Sequence, residues 1–108
     1  MFTAISLVAA HFLCDYPLQG DWLSKIKNPN VKLVPNETIW PLALLGHAWI
    51  HAWAVLFITN RYDFFVVEFI THAITDYAKC LGTITYNQDQ ATHLMIKLMF
   101  VALLAVGV

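Results

Sequence analysis

Between Thr38 and Asn60 the chain runs for 23 consecutive residues without an Asp, Glu, Lys or Arg side chain. A helix that crosses the hydrocarbon part of a bilayer needs about 20 apolar residues, so this stretch predicts a membrane span and sets the environment of whatever packs against it. Three weaker spans surround it. Residues 1–17 are apolar until Asp15, residues 64–81 are interrupted by Glu68 and Asp76, and residues 91–108 are interrupted only by Lys97. Composition agrees, because 12% of the residues are charged, where a soluble domain carries about 25%. With 6 basic and 7 acidic side chains, a chain this short has little polar surface with which to cover a core. The expected fold is all-α: one domain over residues 1–108, a polytopic four-helix up-down transmembrane bundle with helices at 1–17, 38–60, 64–81 and 89–108.

The connection from 18 to 37 is polar and holds Asn28-Pro29-Asn30 and Val34-Pro35-Asn36, both loop punctuation. Within it, Gly20-Asp21-Trp22-Leu23-Ser24-Lys25-Ile26-Lys27 has the pattern of a short interfacial segment. It reads either as a lid over a site or as an amphipathic linker with its Trp at the headgroups. Pro41 suits the first turn of the second helix, and Arg61-Tyr62-Asp63 reads as a tight turn into the third. Lys25, Lys27, Lys32 and Lys79 fall on one side and Arg61 on the other. The positive-inside bias then puts the first and third loops in the cytoplasm, with both termini periplasmic in a bacterial inner membrane. No basic n-region or small-residue cleavage site marks the N-terminus as a cleaved signal. Cys14 and Cys80 are expected to remain reduced thiols. The lysines form no dense stripe, which argues against a nucleic-acid partner. The expected partners are the lipid bilayer, a lipid-linked substrate and a second copy of the chain.

Every one of the five histidines has a His or Asp four residues away: His11/Asp15, His47/His51, His72/Asp76 and Asp89/His93. Side chains at i and i+4 lie on one helix face a turn apart, so each predicted helix offers two donors to a common interior. Independent placement would give any one His such a partner about one time in six, so five together is a pattern. The pairs also share a depth in an up-down bundle, near the first and third loops and within about 15 Å of that face at 1.5 Å per residue. Imidazole and carboxylate donors without an obligatory thiolate suit Zn²⁺ first, and Fe or Mn²⁺ as well. Eight donors exceed one tetrahedral ion, which favours a pair of metals, and some of the eight would then orient the ligands. Glu68 precedes His72 by four and Lys97 follows His93 by four, so these two extend the same faces as an ion pair or a relay. The alternative to a metal is interhelical polar glue, which needs only one or two such groups.

The stretches His11-Phe12-Leu13-Cys14-Asp15-Tyr16-Pro17-Leu18-Gln19 with Trp22, the His47 region, Thr71-His72-Ala73-Ile74-Thr75-Asp76 and Asp89-Gln90-Ala91-Thr92-His93 resemble a known family. It is the group of small phage and bacterial integral membrane proteins called domain of unknown function 3307. The resemblance implies a polytopic membrane protein and brings no activity with it. Gln19 and Gln90 match its motif positions and are candidates for orienting ligands or substrate, whereas His51 fits the family pattern least well. A fainter likeness to bacterial inner-membrane metal-dependent hydrolases suggests one function, hydrolysis of a lipid or lipid-linked substrate. An unligated Asp15, Asp76 or Asp89 would then be the general base. The competing expectations are a metal or proton carrier and a non-enzymatic phage membrane factor stapled by a structural metal.

Overall fold

A computed structural model describes residues 1–32 and 37–108. Five helices make up the described residues, with no strand among them: α1 (Phe2–Asp15), α2 (Gly20–Ile26), α3 (Trp40–Thr59), α4 (Tyr62–Cys80) and α5 (Tyr86–Ala105). The predicted punctuation at Asn28-Pro29-Asn30 falls in irregular chain, whereas Val34-Pro35-Asn36 lies outside the described residues. Local chemistry explains where the helices begin and end. Pro41 occupies the first turn of α3, where its missing N–H costs nothing. Asn60 ends that helix in the left-handed region at φ 55°, and extended Arg61 starts α4, so the expected turn is tighter and Tyr62 and Asp63 are already helical. Gly82 at φ 80° closes α4, with the Thr83 amide donating to the Ala78 carbonyl at 3.0 Å and its own amide to Lys79 at 3.0 Å. A side chain at that φ would be strained, and these two bonds satisfy carbonyls that the helix end would otherwise orphan. The fourth predicted helix starts three residues earlier than expected because Thr85 and Gln88 form a reciprocal capping box. Thr85→Ala should therefore cost about 1 kcal/mol of stability in denaturant unfolding of the purified chain.

The long helices form a closed ring in which α1 packs on α3 and α5, and α4 packs on the same two. Arg61 donates to the Val108 carbonyl, which brings the end of α5 beside the α3–α4 turn, as up-down connectivity requires. Each helix buries one stripe in steps of three or four residues: Asp15, His11, Leu7 on α1; His47, His51, Val55 on α3; Asp76, His72, Glu68, Phe64 on α4; Asp89, His93, Lys97, Phe100 on α5. In cross-section these stripes make layers. Carboxylates dominate at the α2 end, imidazoles come next, then the Glu68–Lys97 ion pair, then an apolar layer of Leu7, Val55, Phe64 and Phe100. Phe64 and Phe100 stack at 4.5 Å between ring centroids, which makes that last layer a dense seal.

The interior is unusually polar for so small a bundle. Among the described residues 11 of the buried side chains are polar or charged and 9 are hydrophobic, while Leu42, Trp49, Trp53, Phe57, Ile70, Ile74, Met95 and Leu98 are exposed on the outside. By length and composition, α3 alone among the described helices meets the requirement for a membrane span. α1 is apolar but has 14 residues, about 21 Å of helix, and Glu68, Asp76, Asp89 and Lys97 lower the apolarity of α4 and α5. Helix lengths and hydropathy by themselves thus support one span rather than the expected four.

Candidate metal centre

The eight His and Asp residues of the i,i+4 pairs converge. All are buried, seven at 3% exposure or less and Asp15 at 8%. At their centre one donor atom from each of Asp15, His47, His51 and His72 lies within 4.8 Å of the other three. Nε2 of His47 and Nε2 of His51 reach the same Asp15 oxygen, Oδ1, at 3.2 and 2.9 Å. Two ligands at 2.0–2.1 Å from a tetrahedral ion stand about 3.3 Å apart, so these separations match the edge of a coordination polyhedron. The cluster could therefore hold a metal ion. Buried ring nitrogens without hydrogen-bond partners, Nδ1 of His11, His47 and His72, point the same way. A buried unsatisfied polar atom costs about 1–3 kcal/mol and calls for an explanation, of which an ion is one.

The other predicted donors surround this core. His93 stacks on His72 with centroids 4.1 Å apart, and His72 on His51 at 3.8 Å. Nε2 of His93 also bonds Oδ1 of Asp89 at 3.1 Å. His11 lies 3.5 Å from Asp15 Oδ2 and bonds the Gln90 carbonyl oxygen at 2.9 Å. The Gln90 amide in turn donates to Asp15 Oδ2 at 2.7 Å and to Asp89 Oδ2 at 3.2 Å, so one side chain holds three of the predicted donors in register. Gln19 donates to the Asp15 carbonyl at 2.9 Å, and its own carbonyl accepts from Lys27. His51 sits in the middle of the cluster, bonded to Asp15 and stacked on His72.

Asp76 is engaged differently. Its Oδ2 pairs with Lys27 Nζ at 2.6 Å and its Oδ1 with Lys79 Nζ at 3.0 Å, while His47 Nε2 stands 3.8 Å from Oδ2. Lys27 is buried at 1% exposure. Expected from the sequence as a loop cation, Lys27 is instead an interior residue that ties the end of α2 to α4. Ile26 is buried with it while Trp22 stays exposed, so the 18–37 connection covers the end of the bundle at this point. No spacing rule could have found this contact, because its partners are 49 residues apart. Glu68 and Lys97 do pair, as their placement suggested. Cys14 and Cys80 are both free thiols.

A cleft of about 390 Å³ opens beside the cluster, lined by Asp15, Tyr16, Gln19, Asp21, Lys79, Tyr86 and Gln90 among others. Asp15 and Gln90 thus belong both to the buried cluster and to a surface that solutes can reach.

Fold and site together define a small helical bundle with a buried, carboxylate-anchored histidine cluster. The chain belongs to the family described as protein of unknown function (DUF3307), which matches residues 3–107. No curated protein and no solved structure matches it significantly.

Proposed function

We propose that the chain is a polytopic membrane protein whose interior holds a divalent transition metal and hydrolyses a lipid or lipid-linked ester or phosphate. The observation that carries this reading is the Asp15, His47, His51 and His72 cluster at the inner end of an open cleft. Membrane residence for α1, α3, α4 and α5 is supported by the inverted arrangement, with charged groups inside and large apolar side chains outside. α3, α4 and α5 measure 20, 19 and 20 residues, about 30 Å each, close to the hydrocarbon thickness. The α2 end, with Lys25 and Lys32, then faces the cytoplasm of a bacterial inner membrane, and the α3–α4 turn faces the periplasm.

Three imidazoles and a carboxylate with no thiolate suit Zn²⁺ best and accommodate Fe or Mn²⁺. Such an ion supplies Lewis acidity and lowers the pKa of a coordinated water towards about 7. Among the three candidate bases, Asp15 is committed to the cluster and Asp76 to two ammonium groups. Asp89 remains, hydrogen-bonded to His93 and Gln90 and free of any lysine contact. It is the general base in this reading, with His93 orienting it. Gln90 aligns Asp15 against the cleft, where Lys79 offers a cation to an anionic headgroup.

The carrier reading fares worse, because the buried polar column ends at Glu68 and Lys97 against the Leu7, Val55, Phe64 and Phe100 layer. A purely structural metal gives no account of the cleft that reaches Asp15. Detergent-purified protein should contain metal and hydrolyse phospholipid vesicles or p-nitrophenyl esters and phosphates, with activity lost to chelator and restored by Zn²⁺ or Mn²⁺. Asp89→Asn should lower turnover about 10²–10⁴-fold, the usual contribution of a general base, with metal content unchanged. Protein that holds metal, hydrolyses none of these probes and melts on chelation would instead be a stapled bundle without catalysis.

A further inference from the structure

Resting on the metal-centre reading above, we infer that the centre takes one divalent ion rather than two, and that Lys27 is the built-in cation filling the second position. Donor number alone argued for two ions, since four pairs supply eight groups. Charge decides otherwise. Among the described residues the buried acids are Asp15, Glu68, Asp76 and Asp89, and the buried lysines are Lys27 and Lys97. With neutral imidazoles the interior carries a net charge of 2 − 4 = −2, which one divalent ion cancels. A second ion would leave +2 in a medium where an unpaired charge is heavily penalised. Half-buried Lys79 beside Asp76 pushes further in the same direction.

Geometry agrees with this count. A bridged pair of metals needs a carboxylate shared between sites about 3.5–4 Å apart. On the His47 side of the cluster Asp76 is the carboxylate placed to reach a second ion, since its Oδ2 faces His47 at 3.8 Å. That same oxygen holds Lys27 Nζ at 2.6 Å, and the other oxygen holds Lys79. Each oxygen of Asp76 thus already faces an ammonium group, whose charge a second metal ion would have to approach. Lys27 reaches this position from the C-terminal end of α2, with Gln19 as its second partner. The covering segment and the replaced cation are therefore one device: the lysine that neutralises Asp76 also fastens α2 over the cluster.

The test is Zn²⁺ stoichiometry, measured by elemental analysis and calorimetric titration of the metal-stripped full chain in detergent. The wild type should bind one equivalent. Lys27→Met, which leaves the interior at −3, should gain a second and weaker equivalent. Lys27→Glu, which leaves it at −4 and adds a donor beside Asp76, should bind two. Circular dichroism identifies which variants remain folded, and the wild-type value is informative without any variant. Two equivalents in the wild type would overturn the inference and leave the metal centre standing. One equivalent in a folded Lys27→Met or Lys27→Glu protein would overturn it as well. No binding in the wild type would overturn the metal-centre reading itself, and this inference with it.

Discussion

Asp15→Ala should empty the metal centre and loosen the bundle in one step. One oxygen of this carboxylate accepts from His47 and His51 of α3, and the other accepts from Gln90 of α5 and lies 3.5 Å from His11. Its loss therefore leaves polar groups on three helices without their shared anion. Removing one member of a buried charged network costs about 3–5 kcal/mol, because the partners stay desolvated and unpaired. Losing a ligand also costs more than losing an orienting partner, for which metal affinity falls about 10–100-fold. Bound Zn²⁺ should accordingly drop more than about 100-fold in affinity, and the thermal midpoint should fall even in chelator, where the metal makes no contribution. Asp15→Asn keeps the shape and one acceptor, so it should lie between wild type and alanine in stability while binding little metal. Undiminished metal content in Asp15→Ala would remove Asp15 from the centre and point to His11, His93 and Asp89 as the ligand set.

Much of this arrangement could be read in the chain because the interior is built from one repeated local relation. A step of four residues carries Asp15 to His11, His47 to His51, Asp76 to His72 and Asp89 to His93, and on α4 and α5 it continues to Glu68 and Lys97. Helical periodicity is a property of neighbours in sequence, so a stripe of ionisable residues inside apolar helices is visible before any tertiary structure. The same relation fixes depth, which is why the four pairs meet. What escaped is the part that depends on contacts between distant segments. Lys27 caps a short helix whose polar pattern fits a surface position equally well, and its burial is decided by Asp76 on α4. The division of labour among the aspartates escaped for the same reason: identical spacings put Asp15 among imidazoles and Asp76 between two ammonium groups. Helix ends shifted where cap chemistry outweighed hydropathy, at Thr85 and Asn60. Hydropathy is the reverse case. Averaged windows penalise α4 and α5 for the very residues that the fold turns inward, which is why α3 alone among the described helices meets the requirement for a span although large apolar side chains cover the outside of the bundle.

A double-mutant cycle on Glu68 and Lys97 should give the second large effect, and its sign pattern separates a structural pair from a relay. The two side chains form an ion pair between α4 and α5, each at 2% exposure or less, directly above the Phe64 and Phe100 layer. No solvent reaches either group to take over a lost partner. Lys97→Met alone should destabilise the bundle by about 3–5 kcal/mol, since it strands the Glu68 carboxylate, and Glu68→Gln alone should do the same to the ammonium group. Glu68→Gln with Lys97→Met together should recover most of that loss, because a buried pair exchanged for groups of similar volume is often neutral. The expected coupling is thus several kcal/mol in denaturant unfolding. His72 Nδ1 stands 3.5 Å from Glu68 Oε1 without hydrogen-bond alignment, so the pair touches the His/Asp cluster at its edge only. The double variant should accordingly bind one equivalent of Zn²⁺ and keep the hydrolytic rate of the wild type. A stable double variant with intact metal and greatly reduced turnover would make Glu68 a proton acceptor for His72, extending the working site one layer deeper than the cluster at Asp15.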